Sequence, residues 1–304
     1  MSGVINTGLH PKALVPGVKA WWGLAYNDHE EEYSKIFDKD TSDKAYEEFV
    51  QSTGFGLAPQ KGQGSAISYD SHIQGPVTRA TAVAYALGYQ VTYEEIKDNQ
   101  YEVLAKSRTT ALARSMRQTK EWVGANILNR ATNASYTYGD GKELIATDHP
   151  NTTGGTWSNE LATAASLSEA AMEDMITQIM GATDDRGNFI NLMPQSIIVP
   201  RQEWFNANRI LKTVQQPGGT NNDINVLKAT NALPGGIIMN HYLTDSNMWF
   251  MKTNASDGLK YLEREGISFS QDDDFDTKNA KWAAYERYSF TAVDPRAIYG
   301  TNPA

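Results

Sequence analysis

The densest run of chemically capable side chains is Asp272-Asp273-Asp274-Phe275-Asp276. Closely spaced carboxylates can ligate calcium. An EF-hand loop, however, needs a glycine at its sixth position and a bidentate glutamate at its end, and neither is present. Charge runs mark solvated faces, so the segment reads as an acidic hairpin turn. Gly139-Asp140-Gly141-Lys142 has the outline of a phosphate loop, but Glu143 stands where that motif needs Ser or Thr. Asp-Gly is a turn dipeptide, and a turn is what the segment predicts. The five histidines, at 10, 29, 72, 149 and 241, lack metal-ligand spacing. His149, followed by Pro150, reads as a turn residue. There is no G-x-S-x-G and no cysteine. No catalytic group, cofactor or metal site is therefore expected.

Composition narrows the classes further. The chain has 304 residues, 40% of them apolar, enough for one large domain or two intertwined ones. It carries 27 basic and 36 acidic residues, a net charge of −9, whereas a dedicated nucleic-acid binder is usually basic. The absence of cysteine excludes disulfide scaffolds and thiol chemistry. No apolar run approaches the roughly 20 residues that span a bilayer, and the N-terminus lacks a signal-peptide pattern. Aromatic residues are plentiful, with 7 Trp, 15 Tyr and 9 Phe, and Tyr and Trp favour surfaces where protein meets protein.

Several elements can be placed from period and punctuation. Residues 1–27 read as an irregular arm, and 28–48 as a short acidic helix with nine acidic and three basic residues. Residues 51–92 read as a long, Gly-rich hairpin, its second strand being Thr81 to Val91. It has too few apolar residues for a core of its own. From about Asn99 to Ala131 apolar residues recur at helical spacing, a rod of roughly 50 Å. Lys106, Arg114, Arg117 and Lys120 fall on the face opposite the apolar one. Ser166 and Glu169 have capping-box spacing ahead of Met172, Met175, Ile176, Ile179 and Met180. Short strands at 196–200, 236–239 and 248–251, with a helix around Trp204, make residues 166–255 a second α/β domain. Two long strands, Leu259 to Phe269 and Lys281 to Thr291, close the chain.

Two groups of residues are singled out. Trp21, Trp22, Lys61, Tyr69 and Arg79 lie on the arm and hairpin and are candidate contacts to other copies of the chain, since aromatic and Arg side chains anchor interfaces. Arg108 falls amid Leu104, Ala111, Leu112 and Ser115 on the helix's apolar face, where an unpaired charge is costly. Glu286, on the strand face of Trp282, Tyr288 and Phe290, is its first candidate partner in a structural ion pair.

With these residues set out, the chain resembles the major capsid proteins of tailed double-stranded-DNA phages, with the Hong Kong ninety-seven-type fold, and within them the Mu-type major head subunit branch. Four segments carry the likeness: Gln74-Gly75-Pro76-Val77-Thr78-Arg79; Gly88 to Asp98 leading into the long helix; Asp140-Gly141-Lys142 through His149-Pro150 to Asn159; and Phe275 to Asn279 with Glu286-Arg287 and Pro295-Arg296-Ala297-Ile298. The resemblance implies an α+β fold with an N-terminal arm (1–50), an extended loop (51–92), a peripheral domain holding the spine helix (93–165 and 256–304) and an axial domain (166–255). It implies self-assembly through hexamers and pentamers into an icosahedral shell around DNA, formed in the bacterial cytoplasm. Portal and scaffolding or decoration proteins are the implied partners. Two other classes stay open: an encapsulin-like shell enclosing protein cargo, and a carbohydrate-active enzyme, which would need a pair of carboxylates in a cleft.

Overall fold

The computed structural model describes residues 22–23, 25–97, 101–215, 223–274, 276–277 and 279–303. In chain order the elements are α1 (Tyr33–Ile36), β1 (Asp38–Thr41), β2 (Tyr46–Ser52), β3 (Gln74–Thr81), β4 (Val83–Val91), α2 (Tyr93–Lys97) and α3 (Tyr101–Asn129). There follow β5 (His149–Pro150), β6 (Thr156–Trp157), α4 (Glu169–Met180), β7 (Pro194–Pro200), α5 (Trp204–Lys212), α6 (Val226–Ala229), β8 (Gly236–Asn240) and β9 (Trp249–Thr253). The chain finishes with β10 (Leu259–Asp273), β11 (Ala280–Ala292), a 3-10 turn (Pro295–Ala297) and β12 (Ile298–Thr301).

Two four-stranded sheets organise these elements. The first runs β1-β10-β11-β4, and α3 packs on its β11 and β4 strands. The second runs β12-β9-β7-β8 and forms the α/β unit with α4, α5 and α6. The last strand, β12, pairs antiparallel with β9, so the C-terminus stitches the two units together. Their hydrophobic cores meet there. Leu128, Leu144, Tyr261 and Tyr288 share one cluster with Ile198, Phe250 and Ile298. A second cluster, built on Met172, Met175, Ile197, Trp249 and Tyr299, fills the α/β unit.

The long helix forms as its period predicts, 29 residues or about 44 Å. Its facing differs from the expected one. The buried stripe is Thr109, Leu112, Ala113, Met116, Arg117, Lys120, Glu121, Ala125 and Leu128, while Ala111 is exposed. Arg117 and Lys120 therefore point inward, and of the expected basic face only Lys106 and Arg114 remain exposed. Three charged residues inside the stripe displaced the apolar pattern that sequence reading followed.

Three other elements also depart from expectation. The acidic segment holds only a one-turn helix before β1, and β1 pairs parallel with β10. The projecting hairpin is β2 against β3, with Tyr46 opposite Thr81 and Val50 opposite Val77. β4, expected as the hairpin's second strand, instead pairs with β11 at the edge of the first sheet, Val91 opposite Ala280. Helix α4 is capped by Ser168, whose side chain accepts from the Ala171 N–H at 3.2 Å, rather than by Ser166. A capping side chain must sit three residues ahead of the N–H it satisfies, and the helix begins two residues later than the capping-box spacing implied.

Candidate functional site

The hairpin's root is tightly held. Gln51 Nε2 donates to the Val293 carbonyl at 2.7 Å. β3 runs so close to the 138–142 turn that a Cβ on Gly139 would lie 2.3 Å from Thr78 Oγ1 and 2.9 Å from the Thr78 nitrogen. That turn forms as predicted, with Gly141 at φ +80° and the Gly141 N–H donating to the Tyr138 carbonyl. Beyond the root, residues 53–73 contain no helix or strand. They expose Phe55, Leu57, Ile67 and Tyr69, Leu57 to 83% and Tyr69 to 91%. Exposed apolar groups concentrated on one projecting segment mark a contact surface.

Each residue singled out by sequence has a definite place. Lys61 and Tyr69 are exposed on the 53–73 segment. Arg79 stacks its guanidinium 3.6 Å over the Tyr46 ring across its own hairpin. Trp21 lies outside the described residues. Trp22 was expected to pack on another copy, but it is buried within its own chain, 4.8 Å from the Phe269 ring and against Leu112 and Met116. The tip of the C-terminal hairpin supplied an apolar seat that sequence proximity could not reveal.

Arg108 and Glu286 do not pair. Arg108 is half-exposed and forms a two-pronged contact with Glu95, at 2.9 and 3.1 Å. Glu286 is fully buried, as its strand face predicted, but its partner is Lys120, whose Nζ lies 2.7 Å from Oε2. The carboxylate is not well aligned for a directed hydrogen bond, so the contact is mainly ionic. Lys120 Nζ also donates to Tyr26 Oη at 3.1 Å and lies 5.1 Å from the centre of the Tyr288 ring. Burial pushes the Glu286 carboxyl up, whereas Lys120 is held above the usual lysine range because Glu286 and Tyr26 outweigh the opposing cost of burial. The two directions disagree about the charged state. The geometry favours the ionised pair, since the ammonium has two tyrosine rings and the Tyr26 hydroxyl besides its carboxylate.

Two further charges of the stripe are satisfied from the acidic segment. Arg117 Nη2 meets Glu31 Oε1 at 2.9 Å. The Glu121 carboxylate accepts the Glu32 and Tyr33 N–H groups at 3.1 and 2.9 Å, capping α1 from a distant part of the chain. The helix and the acidic segment are thus joined through a buried face.

Sequence reasoning missed a polar hub. His149, expected in a turn, is fully buried at the start of β5, with Nδ1 2.6 Å from Asp140 Oδ2 and Nε2 3.1 Å from Asn159 Oδ1. Asn159 Oδ1 accepts the Ala146 N–H, and its Nδ2 donates to the carbonyls of Leu144, Pro295 and Ile298 at 2.7, 3.2 and 3.0 Å. The hub ties the loop after α3 to the start of β12. Its hydrogen bonds position backbone. Its sequence signal was the polar set Asp140, His149 and Asn159 at short spacing. The acidic turn is likewise engaged: Lys281 Nζ lies 2.7 Å from Asp274 Oδ2 and, with the Asp276 N–H, lowers that carboxyl to about 2.

A family model described as phage capsid protein matches residues 76–301. Among curated proteins none matches the chain in sequence. In fold the chain is similar to the capsid of a native GTA particle, with TM-score 0.55, 12% identity, and 98% of this chain and 91% of that one covered. It is similar to a virus-like particle from Pyrococcus furiosus, with TM-score 0.53, 11% identity and 94% and 98% covered. It also matches a structure from Mycobacterium phage Che8, with TM-score 0.52, 14% identity and 90% and 91% covered. The long helix on a four-stranded sheet, the projecting hairpin and the stitched α/β unit are the α+β, Hong Kong ninety-seven-type capsid fold, and the chain belongs to the phage capsid protein family as a structural capsid subunit of the virion.

Proposed function

We propose that copies of this chain join as hexamers and pentamers and close into an icosahedral head around double-stranded DNA. The observation that carries this reading is the 53–73 segment, whose apolar residues have no core in their own subunit and gain burial only on another copy. Lys61, Tyr69 and Arg79 contribute to that contact from the segment and its root. Head-to-tail contacts that close after five or six copies give rings, and many modest contacts acting together give a stable shell. The net charge of −9 suits a container that must not grip its genome. A portal and scaffolding or decoration proteins are the further partners, and assembly takes place in the bacterial cytoplasm. The chain performs no catalytic step. The test is electron microscopy of the purified protein with nuclease treatment of the particles. Shells or rings that protect DNA are expected. Shells holding only protein cargo would shift the reading to a cargo container, and a persistent monomer under all assembly conditions would overturn it.

A further inference from the structure

Remote from its root, the 53–73 segment is hydrogen-bonded to the body of its own subunit at Arg186. Arg186 Nη1 donates to Asp70 Oδ2 at 2.8 Å, and Arg186 Nη2 donates to the Ser71 carbonyl. The same Asp70 Oδ2 accepts the Gly56 N–H at 2.7 Å, so both limbs of the segment are gathered at the contact. These donors hold the Asp70 carboxyl below its usual range, the Gly56 N–H first among them.

Arg186 stands on a prepared platform. Asp184 Oδ1 accepts the Arg186 and Asn188 N–H groups, each at 2.8 Å, and Gly187 supplies the φ of +82° that closes the turn. Asp185 is pinned by Thr152 at 3.0 Å and by Arg296 at 2.8 Å. Between the hairpin root and this platform lies an open cleft of about 530 Å³. The segment therefore bridges space to reach Arg186. Its hold there is ionic and partly exposed, the kind of contact that water and salt loosen.

We propose that this contact is an autoinhibitory latch. The free subunit closes Arg186 on its own Asp70-Ser71 turn, and assembly opens the latch by offering the same turn from a second copy of the chain. The proposal rests on the self-assembly reading above. Within one chain the turn is held close to Arg186 by the tether, so the latch stays shut while subunits are dilute. An identical turn on a neighbour replaces it bond for bond, as in the exchange of an element between protomers. The difference favouring exchange is the burial of Phe55, Leu57, Ile67 and Tyr69, which the closed form leaves in water.

The chain has no cysteine, so introduced thiols are the only ones present. Ser71→Cys marks the turn through a side chain outside the latch, and Phe189→Cys marks the platform at a side chain 82% exposed. A short bismaleimide is applied to dilute subunits of the double variant and to particles grown from an equal mixture of the two single variants. Linkage within one chain is expected in the first case, and covalent dimers of doubled mass in the second. Free double-variant subunits that do not link would overturn the latch. Mixed particles without covalent dimers would overturn the exchange. If unmodified protein forms no particles at all, the self-assembly reading itself fails, an outcome separate from both.

Discussion

Lys120 Nζ and Glu286 Oε2 stand 2.7 Å apart with their side chains 4% and 1% exposed, joining the long helix to β11 inside a box of tyrosines. Removing one member of such a pair strands the other charge in the interior, at a cost of about 3–5 kcal/mol. Lys120→Met should therefore lower subunit stability strongly in urea unfolding. The double variant Lys120→Met with Glu286→Leu should cost much less than the sum of the singles. Additive costs would show that the two residues act independently.

Arg108 and Glu95 provide the contrast. Their contact is close and two-pronged but half-exposed, and exposed pairs are worth at most about 1 kcal/mol. Arg108→Ala should shift the urea midpoint only slightly, and less in high salt. A loss as large as that of Lys120→Met would mean that Arg108 supports something beyond Glu95.

The exchange of partners between these two pairs marks what sequence can carry. The helix was legible because its apolar residues recur at helical spacing, and the C-terminal strands because Trp282, Glu286 and Tyr288 alternate onto one buried face. The helix's facing was not legible. Arg117, Lys120 and Glu121 sit in the buried stripe only because Glu31, Glu286 and two backbone N–H groups come to meet them from afar. Nothing local distinguishes a buried lysine with a distant carboxylate from a solvated one. The hairpin failed for a related reason. β4 has strand character in sequence, but its partner β11 lies about 190 residues away, and period alone does not choose between partners. The capsid family itself was legible from the order of short motifs, each positioned by backbone contacts such as those of Gly139 and Asn159.

Asn159 satisfies four backbone groups, two of them on residues 136 and 139 positions further along the chain. Asn159→Leu would keep the volume and take this partner from the Ala146 N–H and the Leu144 and Ile298 carbonyls, while the Pro295 carbonyl keeps the Ile298 N–H. Each unsatisfied buried group costs about 1–3 kcal/mol. The expected result is a loss of several kcal/mol, or failure to accumulate folded protein, together with faster amide exchange at 298–301 and 144–146. Normal protection in both segments would show that the hub is dispensable.

Gly139→Ala tests how the projecting hairpin is anchored. The added Cβ would meet Thr78 Oγ1 at 2.3 Å and, less yieldingly, the Thr78 nitrogen and the Val77 carbonyl carbon at 2.9 Å. Backbone cannot rotate aside, so β3 must move away from the 138–142 turn, at a cost of about 1–3 kcal/mol. Amide exchange should quicken across 74–81 while the core of the α/β unit stays protected. Equal protection of 74–81 in both proteins would refute the close-approach argument.

Alkaline pH should loosen the junction of the two units. Tyr299, 1% exposed on β12, has its phenol pushed up to about 12 by burial, from an ordinary value of about 10. Burial also raises Tyr138 to about 12, and Tyr261 and Tyr288 further. A group whose folded value lies above its unfolded one binds its proton more tightly when folded. Its contribution is complete below pH 10 and is lost as pH rises from 10 through 12. For Tyr299 that amounts to about 2–3 kcal/mol at the upper end of the window. Lys120, held above the usual lysine range, works in the same direction. Phenolate absorbance and circular dichroism followed together should show these tyrosines ionising only as the fold is lost. Tyr299→Phe, with no proton to lose, should move the alkaline midpoint to higher pH. An unchanged midpoint, with all phenols titrating near 10 while the protein remains folded, would reject the argument.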